Sequence, residues 1–63
     1  MGYVECTKQF SNLGYEFKVG DMFEIIDDRY GVVTIETPIG KIKLTYEVIQ
    51  DGLSFRWANN VSH

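Results

Sequence analysis

The chain has 63 residues, six of them basic and nine acidic, giving a net charge of −3 at neutral pH. A chain of that length makes one small domain and has no room for a large cofactor beside a separate substrate site. Its 44% hydrophobic and 14% aromatic content argues against disorder, while one cysteine and one histidine exclude an internal disulfide framework and a Cys/His zinc set.

Strand signals then follow one another along the chain. Tyr3 to Phe10 reads as a first strand with Val4, Cys6 and Phe10 on its apolar side, and Ser11-Asn12-Leu13-Gly14 as the connection after it. Between Tyr15 and Ile26 the odd positions Tyr15, Phe17, Val19, Phe23 and Ile25 are apolar, the period of two of a half-buried strand. Val19-Gly20-Asp21 interrupts it, and glycine there predicts a bend or bulge. Asp27-Asp28-Arg29-Tyr30-Gly31 reads as a five-residue turn that sets Ile25 opposite Val33 and Phe23 opposite Ile35.

Val32 to Thr37 is the next strand, with Val33 and Ile35 inward and Val32, Thr34 and Glu36 outward. Thr37-Pro38-Ile39-Gly40 turns the chain, because proline presets its own φ and removes a ladder donor. An even loop keeps Val33 and Ile35 on the face of Leu44 and Ile42 and brings Glu36 to Lys41 and Lys43. Lys41 to Val48 alternates without a fault, and Asp51-Gly52 after it predicts a two-residue hairpin into Leu53–Trp57. That register pairs Val48 with Phe55, Tyr46 with Trp57 and Glu47 with Arg56, each pair contributing roughly 0.2–1 kcal/mol. The tail, 58–63, is expected to be frayed and flexible.

Together these elements predict an all-β domain over residues 1–57: a small five-stranded antiparallel meander rolled into a barrel. Its core is expected to hold Phe17, Val19, Phe23, Ile25, Val33, Ile35, Ile42, Leu44, Tyr46, Val48, Phe55 and Trp57. The run Phe17-Lys18-Val19-Gly20-Asp21-Met22-Phe23-Glu24-Ile25 resembles the opening of many SH3-like small barrels of bacteria and phages. Gly31-Val32-Val33-Thr34-Ile35 and Gly40-Lys41-Ile42-Lys43-Leu44 are similar to the central hairpin of that fold. The resemblance spans roughly residues 15–50 and implies architecture; neither the paired-aromatic motif of proline-peptide binders nor the basic, glycine-rich signature of KOW barrels accompanies it.

Chemistry is excluded on inventory. No histidine within the fold could serve as base to Cys6 or a serine, so Cys6 reads as a small apolar core residue and no enzyme is expected. Asp21, Asp27 and Asp28 lack the spacing of a calcium loop and read as turn residues, so no metal or cofactor is expected. Asn60-Val61-Ser62 is a chance match to a glycosylation acceptor. No apolar run approaches the ~18 residues of a membrane helix, and a cytoplasmic protein is expected.

Binding remains. Met22, Ile26 and Val32 on outward positions, with Tyr30 and Ile39 in the loops, make an apolar cluster rimmed by Glu24, Asp27, Asp28 and Glu36. Met22, Glu24, Ile26, Asp28, Tyr30 and Val32 are therefore the candidate contacts with a larger protein partner, unless the first strand folds over Met22, Ile26 and Val32. An accessory factor of phage or bacterial origin fits this reading. A second reading is a single-stranded nucleic-acid binder using Lys41, Lys43 and Arg56, opposed by the acidic net charge. A third is a structural homo-oligomer, such as a dimer paired through an edge strand.

Overall fold

The computed structural model of the chain describes residues 2–58. Seven strands and one short helix follow in order: β1 (Tyr3–Cys6), β2 (Phe10–Asn12), β3 (Tyr15–Phe17), β4 (Met22–Arg29), β5 (Val32–Thr37), β6 (Gly40–Thr45), α1 (Tyr46–Asp51) and β7 (Phe55–Ala58). The all-β reading holds. Five strands form one antiparallel sheet in the order β6-β5-β4-β1-β7, and β2 and β3 form a separate hairpin.

That order corrects the meander. The first strand does not sit at the edge beside the second; it inserts between β4 and β7, with Val4 opposite both Phe23 and Trp57. Its two inward residues, Val4 and Cys6, are both completely buried there. The single strand expected over Tyr3–Phe10 breaks after Cys6. Phe10–Asn12 leaves the sheet and pairs with Tyr15–Phe17 around Leu13-Gly14, so Phe10 stacks on Phe17 with ring centroids 4.7 Å apart. The hydrogen-bonded ladder runs from β6 to β7 and does not close on itself.

The bend at Gly20 is present, at φ +95°. Gly20 N–H donates to the Cys6 carbonyl and Cys6 N–H to that of Asp21, at 2.9 and 2.8 Å, which locks the bend against β1. The next connection is shorter than five residues. β4 runs on to Arg29, opposite Val32, and only Tyr30-Gly31 turns the chain. Both have positive φ, 55° and 74°, as a type I′ hairpin turn requires. A bulge between Ile25 and Asp27 shifts the register, so Ile25 faces Ile35, not Val33. The inserted residue is Ile26. It restores the parity that the tighter turn would otherwise have inverted. Beyond Thr37 the expected hairpin is present, with Glu36 opposite Lys41, Ile35 opposite Ile42 and Val33 opposite Leu44.

The largest correction concerns residues 46–51, which are helical. Thr45, in an extended conformation, caps α1 by accepting a hydrogen bond from Val48 N–H at 3.2 Å. Gly52, at φ +65°, ends it and returns its N–H to the Ile49 carbonyl. Asp51-Gly52 is thus a helix terminus and not a hairpin turn. None of the pairs Val48–Phe55, Tyr46–Trp57 and Glu47–Arg56 forms as a ladder pair: Phe55, Arg56 and Trp57 sit opposite Cys6, Glu5 and Val4.

The core follows from these changes. Val4, Cys6, Phe17, Phe23, Ile25, Val33, Ile35, Ile49 and Phe55 are buried, with Phe10, Tyr15, Ile39, Ile42 and Leu44 packed against them. Phe17 lies at its centre, its ring within 4.7–6.1 Å of those of Phe10, Tyr15, Phe23 and Phe55. Four side chains assigned to the core are not in it. Val19, in the bend, is 65% exposed, and Tyr46, Val48 and Trp57 are 37–40% exposed, because α1 turns Ile49 inward where a strand would turn Val48. Ala58, expected in the tail, pairs with Tyr3 at the end of β7; 59–63 lie outside the described residues.

Helix and strand make opposite demands on two adjacent side chains, and truncation separates them. Ile49→Ala should cost about 2–5 kcal/mol, as for a fully buried residue, and Val48→Ala no more than about 0.5–1 kcal/mol. Equilibrium denaturation in guanidinium chloride measures both. Equal or inverted costs would exclude the helix.

Candidate functional site

The sheet has two unlike faces. Cross-strand partners point the same way, so rows of side chains can be read directly from the register. The inward rows are Leu44–Val33–Asp28, Ile42–Ile35–Ile25, Phe23–Val4–Trp57 and Cys6–Phe55. The outward rows are Thr45–Val32–Arg29, Lys43–Thr34–Asp27, Glu24–Tyr3–Ala58 and Met22–Glu5–Arg56.

The six candidate partner contacts divide among three places. Met22, Glu24 and Ile26 share the outward side of β4, where Met22 is 44% and Ile26 37% exposed. β1 lies beside them as a neighbouring strand, with Tyr3 level with Glu24, and does not fold over them. Val32 sits on the outward side farther along, opposite Arg29. A five-residue turn would set Ile26 opposite Val32; the bulge and the two-residue turn put Arg29 there instead. Tyr30, at the turn, is 97% exposed. Asp28 is the exception: it belongs to an inward row, at its rim.

Along the outward side of β4–β5–β6 lies a shallow cleft of about 330 Å³ lined by Asp27, Arg29, Tyr30, Val32, Thr34 and Lys43. Asp27 holds Arg29 at 2.9 Å. The three cations of the nucleic-acid reading come from two strands. Lys41 and Lys43 project from β6, whereas Arg56 projects from β7 at the other end of the strand order. Arg56 also places Nε and Nη2 on Glu5 Oε1, at 3.0 and 2.8 Å. Cys6 is buried and its thiol donates to the Lys8 carbonyl. His63 and the Asn60-Val61-Ser62 triplet lie outside the described residues.

A second exposed group stands at the inward rim, where α1 meets β7. The Tyr46 and Trp57 rings meet edge to face, centroids 5.4 Å apart and planes at 84°, and the Tyr46 phenol donates to Asp28 Oδ1. That hydrogen bond first, then partial burial and the Asp28 charge, raises the Tyr46 pKa above its ordinary 10.0. The rings do meet, as a strand hairpin would have required, but through a helix and at the surface. Alternation alone predicts Tyr46 and Trp57 in the core. The sequence signal that exposes them is the cap pair, Thr45 and Gly52, which marks 46–51 as helix.

Two further side chains stand out by their backbone. Leu13, 80% exposed, and Tyr30 are the only non-glycine residues with positive φ among the described residues. Each is the first residue of a two-residue hairpin turn with glycine second, a place where asparagine or glycine is favoured. No family model, curated protein or solved structure matches this chain.

The Tyr46–Asp28 bond has a testable sign. Ionising the phenol removes the donor and sets two negative charges together. The stability it contributes is therefore present below pH 10 and lost as pH rises through the raised pKa. The tyrosinate absorbance that Tyr46→Phe removes should titrate above pH 10, and Asp28→Asn should bring it down. An Asp28→Asn titration identical to wild type would refute the coupling.

Proposed function

We propose that the chain is a non-enzymatic binding module, an SH3-like small barrel that works by attaching to a larger protein as an accessory factor of phage or bacterial type. Support for the barrel is the placement of β1 between β4 and β7. That insertion sets β1 against β7 and lets residues from β1, β3, β4, β5, α1 and β7 share one buried cluster. A flat sheet of five strands would spread those side chains too widely for one core.

The observation that carries the protein-binding reading is Tyr30. A left-handed conformation costs an ordinary residue roughly 1–2 kcal/mol, and here it holds out a large aromatic side chain that is 97% exposed. The turn needs the positive φ but not the ring, since asparagine or glycine would close it with less strain. Strain that holds out a side chain the core does not use is the mark of a functional position, and exposed tyrosines are favoured anchors at protein interfaces. Leu13 repeats the pattern at the tip of the β2–β3 hairpin, and Met22 and Ile26 add apolar area on β4.

The test exploits the strain. Tyr30→Asn suits the turn better and should raise the melting temperature, by about 4–8 °C for each kcal/mol of strain relieved. The same variant, used as bait in the native host, should lose the partner that the wild-type chain captures. A more stable variant that still captures that partner would sink the reading. A variant with a lowered melting temperature would remove the strain argument on which it rests.

A further inference from the structure

We propose that Asp28, Tyr46 and Trp57 form a receptor for one arginine or lysine side chain presented by a basic segment of the partner. The inference rests on the protein-binding reading and gives it a chemistry. In an edge-to-face pair the edge-on ring keeps both its faces clear of the other ring. Tyr46 is 37% and Trp57 40% exposed, so both residues of the pair reach solvent at this corner. A cation over such a face is attracted by the ring quadrupole, most strongly for tryptophan. The Asp28 carboxylate, fixed by the Tyr46 phenol, adds a full negative charge beside the rings.

Local charge selects the occupant. The helix that carries Tyr46, Tyr-Glu-Val-Ile-Gln-Asp, contains two acidic residues and no basic one. Both arginines are engaged elsewhere, Arg29 by Asp27 and Arg56 by Glu5, in outward rows. Lys41 and Lys43 also project outward, from the same side of β6 as Thr45. The corner therefore combines two partly exposed aromatic side chains with the Asp28 carboxylate, whose side-chain hydrogen bond comes from the neutral Tyr46 phenol, and this favours a cation over a phosphate or carboxylate. A guanidinium fits best, because it can stack on one ring while donating to the carboxylate.

Trp57 is the only tryptophan, so its fluorescence reports on the site directly. The probe is the acetylated peptide amide Gly-Arg-Gly-Arg-Gly, and its control replaces both arginines by neutral, nearly isosteric citrulline. The arginine peptide should give a saturable change in Trp57 emission that weakens with added salt, and the citrulline peptide none. Trp57→Leu, followed by the amide shifts of residues 28 and 46, should lower affinity roughly two- to thirtyfold. Trp57→Phe keeps a ring and should restore part of it, which a merely structural role would not require. Equal responses to both peptides, no response, or a stronger response to single-stranded oligothymidylate would overturn the proposal. These arms need no native partner. Their failure refutes the receptor alone, whereas partner capture by Tyr30→Asn bears only on the protein-binding reading.

Discussion

The fold depends on four residues, Tyr3 to Cys6, being hydrogen-bonded on both sides. β4 lies along one edge of this strand and β7 along the other. Without it the chain would hold a β4–β5–β6 antiparallel unit and a lone C-terminal strand with nothing to pair against. Val4 and Cys6 are its two inward side chains, both fully buried. Each occupies a row with residues far away in sequence, Val4 with Phe23 and Trp57, Cys6 with Phe55. Such non-local pairings carry a loop-closure cost before they contribute anything. The hairpins can form from local contacts, and β1 then joins them into one cooperative unit. Thr7 extends the join beyond the strand, donating its N–H to the Ser54 carbonyl and its hydroxyl to that of Gly52.

Two departures from simple alternation cancel in the middle of the sheet. A two-residue turn at Tyr30-Gly31 changes loop parity from odd to even, and by itself would send Phe23 and Ile25 to solvent. The bulge at Ile26 inserts one residue and sends them back. Counting from the sequence placed Phe23, Ile25, Val33 and Ile35 on one face because that face is the only apolar one available. The route by which they reach it was not readable, since period two reveals sidedness and not partner. For the β5–β6 hairpin both were readable. Pro38 fixes the turn, and the ladder Glu36–Lys41, Ile35–Ile42 follows residue by residue.

The order of strands and the site were less legible. Nothing in Tyr3–Cys6 alone says which strands it will pair with, and a meander was the default. Over residues 41–45 alternation is a sound guide; from Val48 to Ile49 two apolar side chains stand together and alternation ends. The Thr45 cap, Glu47 in the first turn and Gly52 at the end are all helix signals, but Asp51-Gly52 is equally a hairpin signal. Six residues is also too short for helical periodicity to announce itself. The cost of that substitution fell on Tyr46, Val48 and Trp57, assigned to the core and found at the surface. Tyr30 was legible as a loop residue. Its positive φ was not, because tyrosine gives no propensity hint of a left-handed turn.

Charge distributes differently on the two sides of the sheet, and this gives the molecule its polarity. Outward, opposite charges are neighbours within the sheet itself: Arg56 with Glu5, Arg29 with Asp27, Glu36 across from Lys41. Those pairs are solvent-exposed and individually contribute little to stability, but they leave the outward side close to neutral. Inward, the rows are apolar until the rim, and there the charge is Asp28, held by a phenol and not by a cation. The net −3 is therefore not spread evenly. Turning 46–51 into a helix is what creates this asymmetry. It buries Ile49, lifts Tyr46 onto Asp28, and leaves Trp57 at the end of its row with a ring and a carboxylate for neighbours where a strand hairpin would have covered it.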